Sequence, residues 1–138
     1  MSHVHIVRVL VLAAAIGCTG AAGCDRAEPA PLVSRRVYAG DAARGHAILA
    51  SGAHGCAACH AIPGVRAPRG VVGPPLDGMA RRGFIAGQLP NTPDVLVAFL
   101  QNPPALVPRT GMPDTRVSLD EARDIAAYLY KLEPSHAR

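Results

Sequence analysis

The chain of 138 residues contains no tryptophan, and aromatic residues make up only 4% of it. Glycine and proline are instead frequent, with 14 and 13 residues. A chain of this length is expected to form one domain, whose core normally needs large apolar side chains. The shortage of aromatic side chains therefore predicts that another group contributes to the core.

The sequence also lacks an apolar run long enough to cross a bilayer as a helix. Residues 9–23 carry no charge, but these 15 residues fall short of the roughly 20 that a membrane span requires. Because they follow Arg8 near the start of the chain, they resemble the apolar part of a secretory signal. We predict that residues 1–23 are a signal peptide that is removed, with an uncleaved membrane anchor as the alternative.

Cysteine is scarce, and the four cysteines have different predicted fates. Cys18 lies in the predicted signal peptide. Cys24 follows the small residues 21–23, which resemble a bacterial lipobox, so it is predicted to carry a lipid after cleavage. Cys56 and Cys59 then remain as a pair, and no cysteine is left over. Ordinary signal-peptidase cleavage, which gives a protein without a lipid, is the alternative.

Residues 24–38 contain prolines and charges of both signs but no apolar period, and they predict a flexible tether. Residues 39–138 form the predicted domain. Its first helix is predicted to begin at Asp41, a good N-cap, and to end near Gly52. Gly45 inside this helix costs up to about 1 kcal/mol relative to alanine, which indicates close contact with another helix.

Two further helices are marked by their ends. Thr92 and Pro93 predict the start of a helix that stops at Pro103. Ser118 and Glu121 form a capping box, and apolar residues recur at helical spacing after it. Three or four helices without a convincing strand predict the all-α class.

The sequence Gly-Cys-Ala-Ala-Cys-His at residues 55–60 limits the kinds of site that the two cysteines can form. Cysteines two residues apart occur in dithiol redox pairs, in zinc sites and in covalent haem attachment. A dithiol pair usually belongs to a βαβ unit, and no strand precedes this motif. A zinc site needs four ligands, and no other histidine has zinc-finger spacing to Cys56, Cys59 and His60. Cys-x-x-Cys-His is the attachment signature of c-type haem, so one covalent haem c is predicted.

From residue 40 to residue 132 the chain resembles a class I c-type cytochrome. The resemblance rests on the Cys-x-x-Cys-His motif, on Gly-Pro-Pro-Leu at residues 73–76 and on Pro-Arg-Thr-Gly-Met-Pro at residues 108–113. It implies the class I cytochrome c fold, in which three to four helices surround the haem and the first and last helices cross. It also implies that Gly45 lies at that crossing.

The resemblance further implies six cofactor-binding residues, namely Cys56, Cys59, His60, Pro74, Arg82 and Met112. Of these, His60 and Met112 are the implied ligands of the iron. The Pro74 carbonyl is implied to accept a hydrogen bond from the His60 imidazole, which orients a ligand. Arg82, with Arg81 as the neighbouring possibility, is implied to contact a haem propionate.

Only two methionines follow the predicted signal peptide, Met79 and Met112, so a methionine ligand has to be one of them. The loop that contains Met112 resembles the Met-Pro ligand loop of the family. A thioether is a soft, neutral ligand that suits iron in two oxidation states. Met79 is expected to fill the core.

The resemblance implies an electron carrier rather than an enzyme. Residues 84–103 and 123–129 are further similar to cytochrome domains fused to subunit II of some bacterial terminal oxidases. We therefore expect a respiratory oxidase as partner, with a periplasmic dehydrogenase as the alternative and no nucleic-acid partner. The rival class is a haem sensor or peroxidase-like protein in which Met112 detaches. The expected location is the periplasmic side of the bacterial cytoplasmic membrane, through the lipid on Cys24, or the soluble periplasm without it.

Overall fold

The computed structural model describes residues 35–67 and 70–134. The predicted signal peptide, Cys24 and most of the predicted tether lie outside these residues. The helices of the described part are α1 Ala42–Ser51, α2 Cys56–Cys59, α3 Pro93–Gln101, α4 Pro103–Leu106 and α5 Leu119–Leu129, with a 3₁₀ turn at Met79–Arg81. None of these helices has the length and apolar composition needed to cross a bilayer. The predicted all-α class is confirmed.

A short hairpin is an element that the sequence did not predict. Strand β1 Phe84–Ile85 pairs antiparallel with strand β2 Leu89–Pro90, with Ile85 opposite Leu89. The chain reverses through Gly87, which has a φ of +70°. Strands of two residues are too short to show the alternation of polar and apolar residues that identifies a strand.

The ends of α1 and α5 follow the predicted signals. The Asp41 side chain caps α1 by accepting hydrogen bonds from two backbone amides, and α1 ends at Gly52 in the left-handed conformation. At the start of α5, Ser118 and Glu121 bond reciprocally in the predicted capping box. The starts of both helices are therefore set by side chains next to them in the sequence.

Helices α1 and α5 pack closely at Gly45. A Cβ atom on this residue would lie 2.0 Å from the backbone oxygen of Asp124, so only glycine fits there. Beside it, the Arg44 guanidinium binds the Asp124 carboxylate with both ends, at 2.7 Å from Nε to Oδ2 and 2.9 Å from Nη2 to Oδ1. The predicted close contact between the first helix and another helix is confirmed.

The middle helix, α3, differs in detail from the prediction at both of its ends. Thr92 is the N-cap of α3 as predicted, but its side chain makes no capping hydrogen bond. Pro103 and Pro104 follow the end of α3, yet they also begin the separate one-turn helix α4. Proline is tolerated at the first helical positions because its missing N–H has no partner there.

The core lies between α1, α3 and α5, and Leu96 of α3 and Ile125 of α5 are among its fully buried side chains. The segment ahead of α1 joins this core. Val37 is buried in it, and Arg35 Nη2 donates a hydrogen bond to the Arg82 carbonyl at 3.3 Å. Both residues belong to the segment that the sequence assigns to the tether.

Candidate functional site

A cleft opens beside the core, between α2, α3, α5 and the loops that follow α2 and α4. Its volume is about 320 Å³, which falls in the range of ligand pockets, and its walls are mainly apolar. All six residues implied by the sequence resemblance line it: Cys56, Cys59, His60, Pro74, Arg82 and Met112. The fold thus brings together residues that are far apart in the sequence.

Helix α2 is one turn long and carries the two cysteines of the motif. It begins after Gly55, which has a φ of +64°, and the His60 amide donates to the Cys56 carbonyl at 3.0 Å. Cys56 and Cys59 form no disulfide with each other, and both are partly buried. Before a thioether forms, burial raises the pKa of the Cys56 thiol above its ordinary value.

The His60 imidazole is oriented by the loop after α2. Its Nδ1 lies 2.7 Å from the Pro74 carbonyl oxygen. Because a carbonyl only accepts hydrogen bonds, Nδ1 carries the proton and donates it. The lone pair of His60 is then on Nε2, and that nitrogen is the one able to bind a metal.

Two glycines bring the same loop into direct contact with the motif. A Cβ atom on Gly70 would lie 2.3 Å from the carbonyl carbon of Cys59, and one on Gly73 would lie 2.3 Å from Cε1 of His60. The Gly73 amide also donates to the Cys59 carbonyl at 2.8 Å. Gly73 belongs to the Gly-Pro-Pro-Leu sequence, whereas no sequence signal distinguishes Gly70 from an ordinary loop glycine.

The two neighbouring arginines have different surroundings. The Arg82 guanidinium lines the cleft and donates to the carbonyl oxygens of Pro75 and Asp77. Arg81 instead reaches Glu133, with 3.6 Å between its Nη2 and Oε2, and both side chains are largely exposed. Arg82 is therefore the arginine placed at the cleft.

Met112 and Met79 both line the cleft, but they are held differently. Met79 packs in the core with 6% of its surface exposed, which confirms its predicted place there. Met112 is half-buried in the loop after α4, and its amide donates to Thr110 Oγ1 at 3.2 Å. This loop is fixed to α3, since the Thr115 hydroxyl donates to the Leu100 carbonyl at 3.1 Å.

No sequence signal marks the role of His54, which links three segments beside the cleft. Its Nδ1 lies 3.0 Å from the Thr115 carbonyl oxygen, and its Nε2 lies 3.2 Å from Oε1 of Glu121. Hydrogen bonds from Ser118 and then from His54 lower the pKa of Glu121 to about 2. His54 therefore connects the chain just before α2 with the loop after α4 and with the start of α5.

Residues 42–133 match the family model of cytochrome c. The chain belongs to the cytochrome c family. This family binds haem c covalently, and Cys56 and Cys59 lie in the matched region with the spacing that attachment requires. No curated protein matches the chain. The predicted haem cofactor and class I cytochrome c fold are confirmed, and the family is one of haem-binding electron-transfer proteins.

The side chains of this cytochrome c suit a haem. Two thiols one helical turn apart match the two vinyl groups, and the mainly apolar walls match the macrocycle. The imidazole of His60 has one nitrogen available to the iron. When bound, the haem supplies an iron that gains and loses one electron. Among residues 35–67 and 70–134, no three His, Cys, Asp or Glu side chains are grouped as a separate metal site requires.

Proposed function

We propose that this cytochrome c is a monohaem electron carrier in which His60 and Met112 bind the iron and Cys56 and Cys59 hold the haem. The observation that carries the proposal is the hydrogen bond from His60 Nδ1 to the Pro74 carbonyl. This bond fixes the tautomer that leaves Nε2 as the ligand atom. The other proposed residues support it because they line the same cleft.

Met112 is the proposed sixth ligand because it lies in a loop that can offer its side chain to the cleft. Pro108 and Pro113 restrict the backbone on either side of it. Met79 packs among core residues, so moving its side chain to the iron would leave a cavity. Iron binding by Met79 would therefore cost more core packing energy than iron binding by Met112.

Two protein ligands suit electron transfer because they leave no coordination position for a substrate. A methionine ligand raises the reduction potential relative to two imidazoles. The mainly apolar walls of the cleft limit the access of water, and Arg82 adds a positive charge at its edge. We assign Arg82 to a haem propionate, because an arginine fork suits a carboxylate.

We propose a respiratory oxidase as the electron acceptor, or as the complex to which this cytochrome c belongs. The similarity of residues 84–103 and 123–129 to cytochrome domains fused to oxidase subunit II supports this setting. Proteins that co-purify from gently solubilised membranes test it. An oxidase subunit is the expected result, and a periplasmic dehydrogenase in its place would contradict the proposal.

Covalent attachment is tested by a haem stain after denaturing electrophoresis of protein made in a bacterium that matures c-type cytochromes. The unmodified protein is expected to stain. Cys56→Ala and Cys59→Ala each remove one thioether and should weaken or abolish the stain. Normal staining of the double variant would contradict attachment at these residues.

Iron ligation is tested by the spectra of Met112→Ala and of Met79→Leu as its matched control. Met112→Ala should keep covalent haem, lose the weak long-wavelength absorption band of methionine-bound ferric haem and bind carbon monoxide when reduced. Met79→Leu should retain the band. If Met79→Leu loses the band and Met112→Ala keeps it, the iron ligand is Met79 and not Met112. Carbon monoxide binding by the unmodified reduced protein would favour the sensor or peroxidase-like alternative.

A further inference from the structure

Asn91 is a buried polar residue between β2 and α3, with 3% of its surface exposed. Its Nδ2 donates to the carbonyl oxygens of Met79 and Arg82, at 2.8 Å each. Its Oδ1 accepts a hydrogen bond from the Tyr130 hydroxyl at 2.8 Å, and its backbone amide donates to the Gly83 carbonyl at 3.0 Å. Both ends of the side-chain amide therefore have partners.

This arrangement fixes the 3₁₀ turn at Met79–Arg81 and the residue after it. Breaking a hydrogen bond of a buried amide is costly, because the amide is left without a partner. Each of these hydrogen bonds therefore also holds its partner group in position. Asn91 holds both ends of the turn through their carbonyl oxygens, and Tyr130 of the segment after α5 holds Asn91. The backbone at Arg82 is thus tied to the core of the molecule.

Arg82 is restrained at its backbone and at its side chain. Its carbonyl accepts hydrogen bonds from Asn91 and from Arg35, at 2.8 Å and 3.3 Å. Its guanidinium donates to the carbonyls of Pro75 and Asp77 at the wall of the cleft. Because both its backbone and its guanidinium are hydrogen-bonded, the Arg82 side chain has little freedom to move. Its positive charge therefore stays at a defined position in the wall of the cleft.

We propose that Asn91 is a positioning residue that sets the reduction potential of the haem by holding Arg82 at the cleft. This inference rests on the proposed haem site and on the assignment of Arg82 to it. A positive charge beside the haem disfavours the ferric state more than the ferrous state, because the ferric state carries one more positive charge. If the turn is released, Arg82 moves toward water, its charge is screened and the potential falls.

A double-mutant cycle on the haem-loaded protein tests whether Asn91 acts through Arg82. The reduction potential is measured for Arg82→Gln, Asn91→Ser and the double variant. Both single substitutions should lower the potential, and the double variant should have the potential of Arg82→Gln alone, since Asn91 then has no charge to position. An Asn91→Ser shift that persists undiminished in the Arg82→Gln background would overturn the inference.

Two further variants separate positioning from loss of structure. Tyr130→Phe removes one hydrogen bond to Asn91 while keeping the ring, and it should lower the potential by less than Asn91→Ser does. This variant remains informative if Asn91→Ser does not fold. Arg81→Gln removes the same charge one residue away, where Glu133 and water screen it, and should change the potential less than Arg82→Gln does. Equal shifts for the two arginine variants would contradict a role for the placement of Arg82.

Amide hydrogen exchange provides a readout that is independent of the iron. In Asn91→Ser the amide of Arg82 should exchange faster, because the turn that it closes is no longer fixed from the side. Unchanged exchange would overturn the positioning role. Failure of the haem stain contradicts the proposed function itself, whereas a stained protein whose potential is unaffected by Arg82→Gln contradicts only this inference and the assignment of Arg82.

Discussion

Gly73 sets the position of the His60 ring by having no side chain. A Cβ atom there would lie 2.3 Å from Cε1 and 2.6 Å from Nδ1 of the imidazole. The same loop supplies the Pro74 carbonyl that accepts the hydrogen bond from Nδ1. The close contact with Gly73 and the hydrogen bond to Pro74 therefore come from adjacent residues. The His60 ring cannot move away from one of them without disturbing its interaction with the other.

We predict that Gly73→Ala destabilises the haem-loaded protein by about 1–3 kcal/mol, the usual cost of forcing an extra carbon into a packed site. The added methyl group should also displace His60, which should change the absorption spectrum. Denaturant unfolding and absorption spectroscopy measure the two effects. Gly83→Ala is the matched control, because a Cβ atom at Gly83 meets nothing within 4 Å. Equal unfolding midpoints and spectra for the two variants would contradict this account of Gly73.

The role of a single residue was predictable from the sequence where that role requires a fixed spacing to neighbouring residues. Cys56, Cys59 and His60 are such residues, because attachment requires thiols one helical turn apart next to an imidazole. Asn91 and His54 are not, since their partners are carbonyls and side chains from distant segments. An isolated Asn or His in the sequence carries no information about which remote groups it meets.

At the scale of elements, an ion pair reinforces the crossing of α1 and α5. Asp124 is buried, and its carboxylate accepts from the Arg44 guanidinium and from the Asp41 amide. The hydrogen bond from Arg44 is the main reason why the pKa of Asp124 is lowered below its ordinary value of 3.8, although burial acts in the opposite direction. The ionised carboxylate therefore stabilises the folded state.

The sign of this shift predicts how the stability of the crossing depends on pH. In the unfolded chain Asp124 regains its ordinary pKa, so the stabilisation is complete above that value and is lost as the pH falls below it. Asp124→Asn should cost about 1–3 kcal/mol at neutral pH, the usual cost of a broken buried bond to a charged group. Its free energy of unfolding should also decrease less between pH 6 and pH 3 than that of the unmodified protein.

Chemical unfolding at several pH values measures both effects. Asp120→Asn is the matched control on the same helix, because the Asp120 side chain is 90% exposed and its ion pair with Arg123 lies at the surface. An exposed pair of this kind contributes little, so this variant should follow the unmodified protein. Parallel pH curves for Asp124→Asn and the unmodified protein would show that the crossing does not depend on the carboxylate.

The helices were predictable where the signals that define their ends are local. Asp41 and Gly52 bound α1, and Ser118 with Glu121 starts α5, because caps act within a few residues. The β1–β2 hairpin was not predictable, since its strands are too short to show a pattern. The family resemblance implied that Gly45 meets the last helix, but it did not identify Asp124 as the residue in contact.

At the scale of the whole molecule, the composition is explained by the cleft. Helices α2, α3 and α5, together with loops, border an opening with mainly apolar walls, and haem is the cofactor of the family. The sequence predicted a missing core component but not the shape of the cleft. That shape depends on how loops distant in the sequence pack, which single-sequence patterns do not reveal.

The location of the molecule is our last prediction, and it depends on Cys24, which lies outside the described residues. Cys24→Ser removes the proposed lipid attachment point, so the protein should move from the membrane fraction to the soluble periplasmic fraction. Cys18→Ser is the matched control, because Cys18 lies in the predicted signal peptide. Cell fractionation with haem staining measures both variants. Retention of Cys24→Ser in the membrane would instead support an uncleaved anchor.

The pairing of Arg44 with Asp124 has a consequence for biogenesis. These residues are 80 positions apart, and the whole haem-attachment motif lies between them. Closing so long a segment is slow compared with forming a local helix. Ile125 and Leu129 of α5 line the cleft beside Cys56 and Cys59, so the cleft is incomplete until α5 has docked. We expect thioether formation to precede closure of the domain, so that the last helix seals a haem already in place.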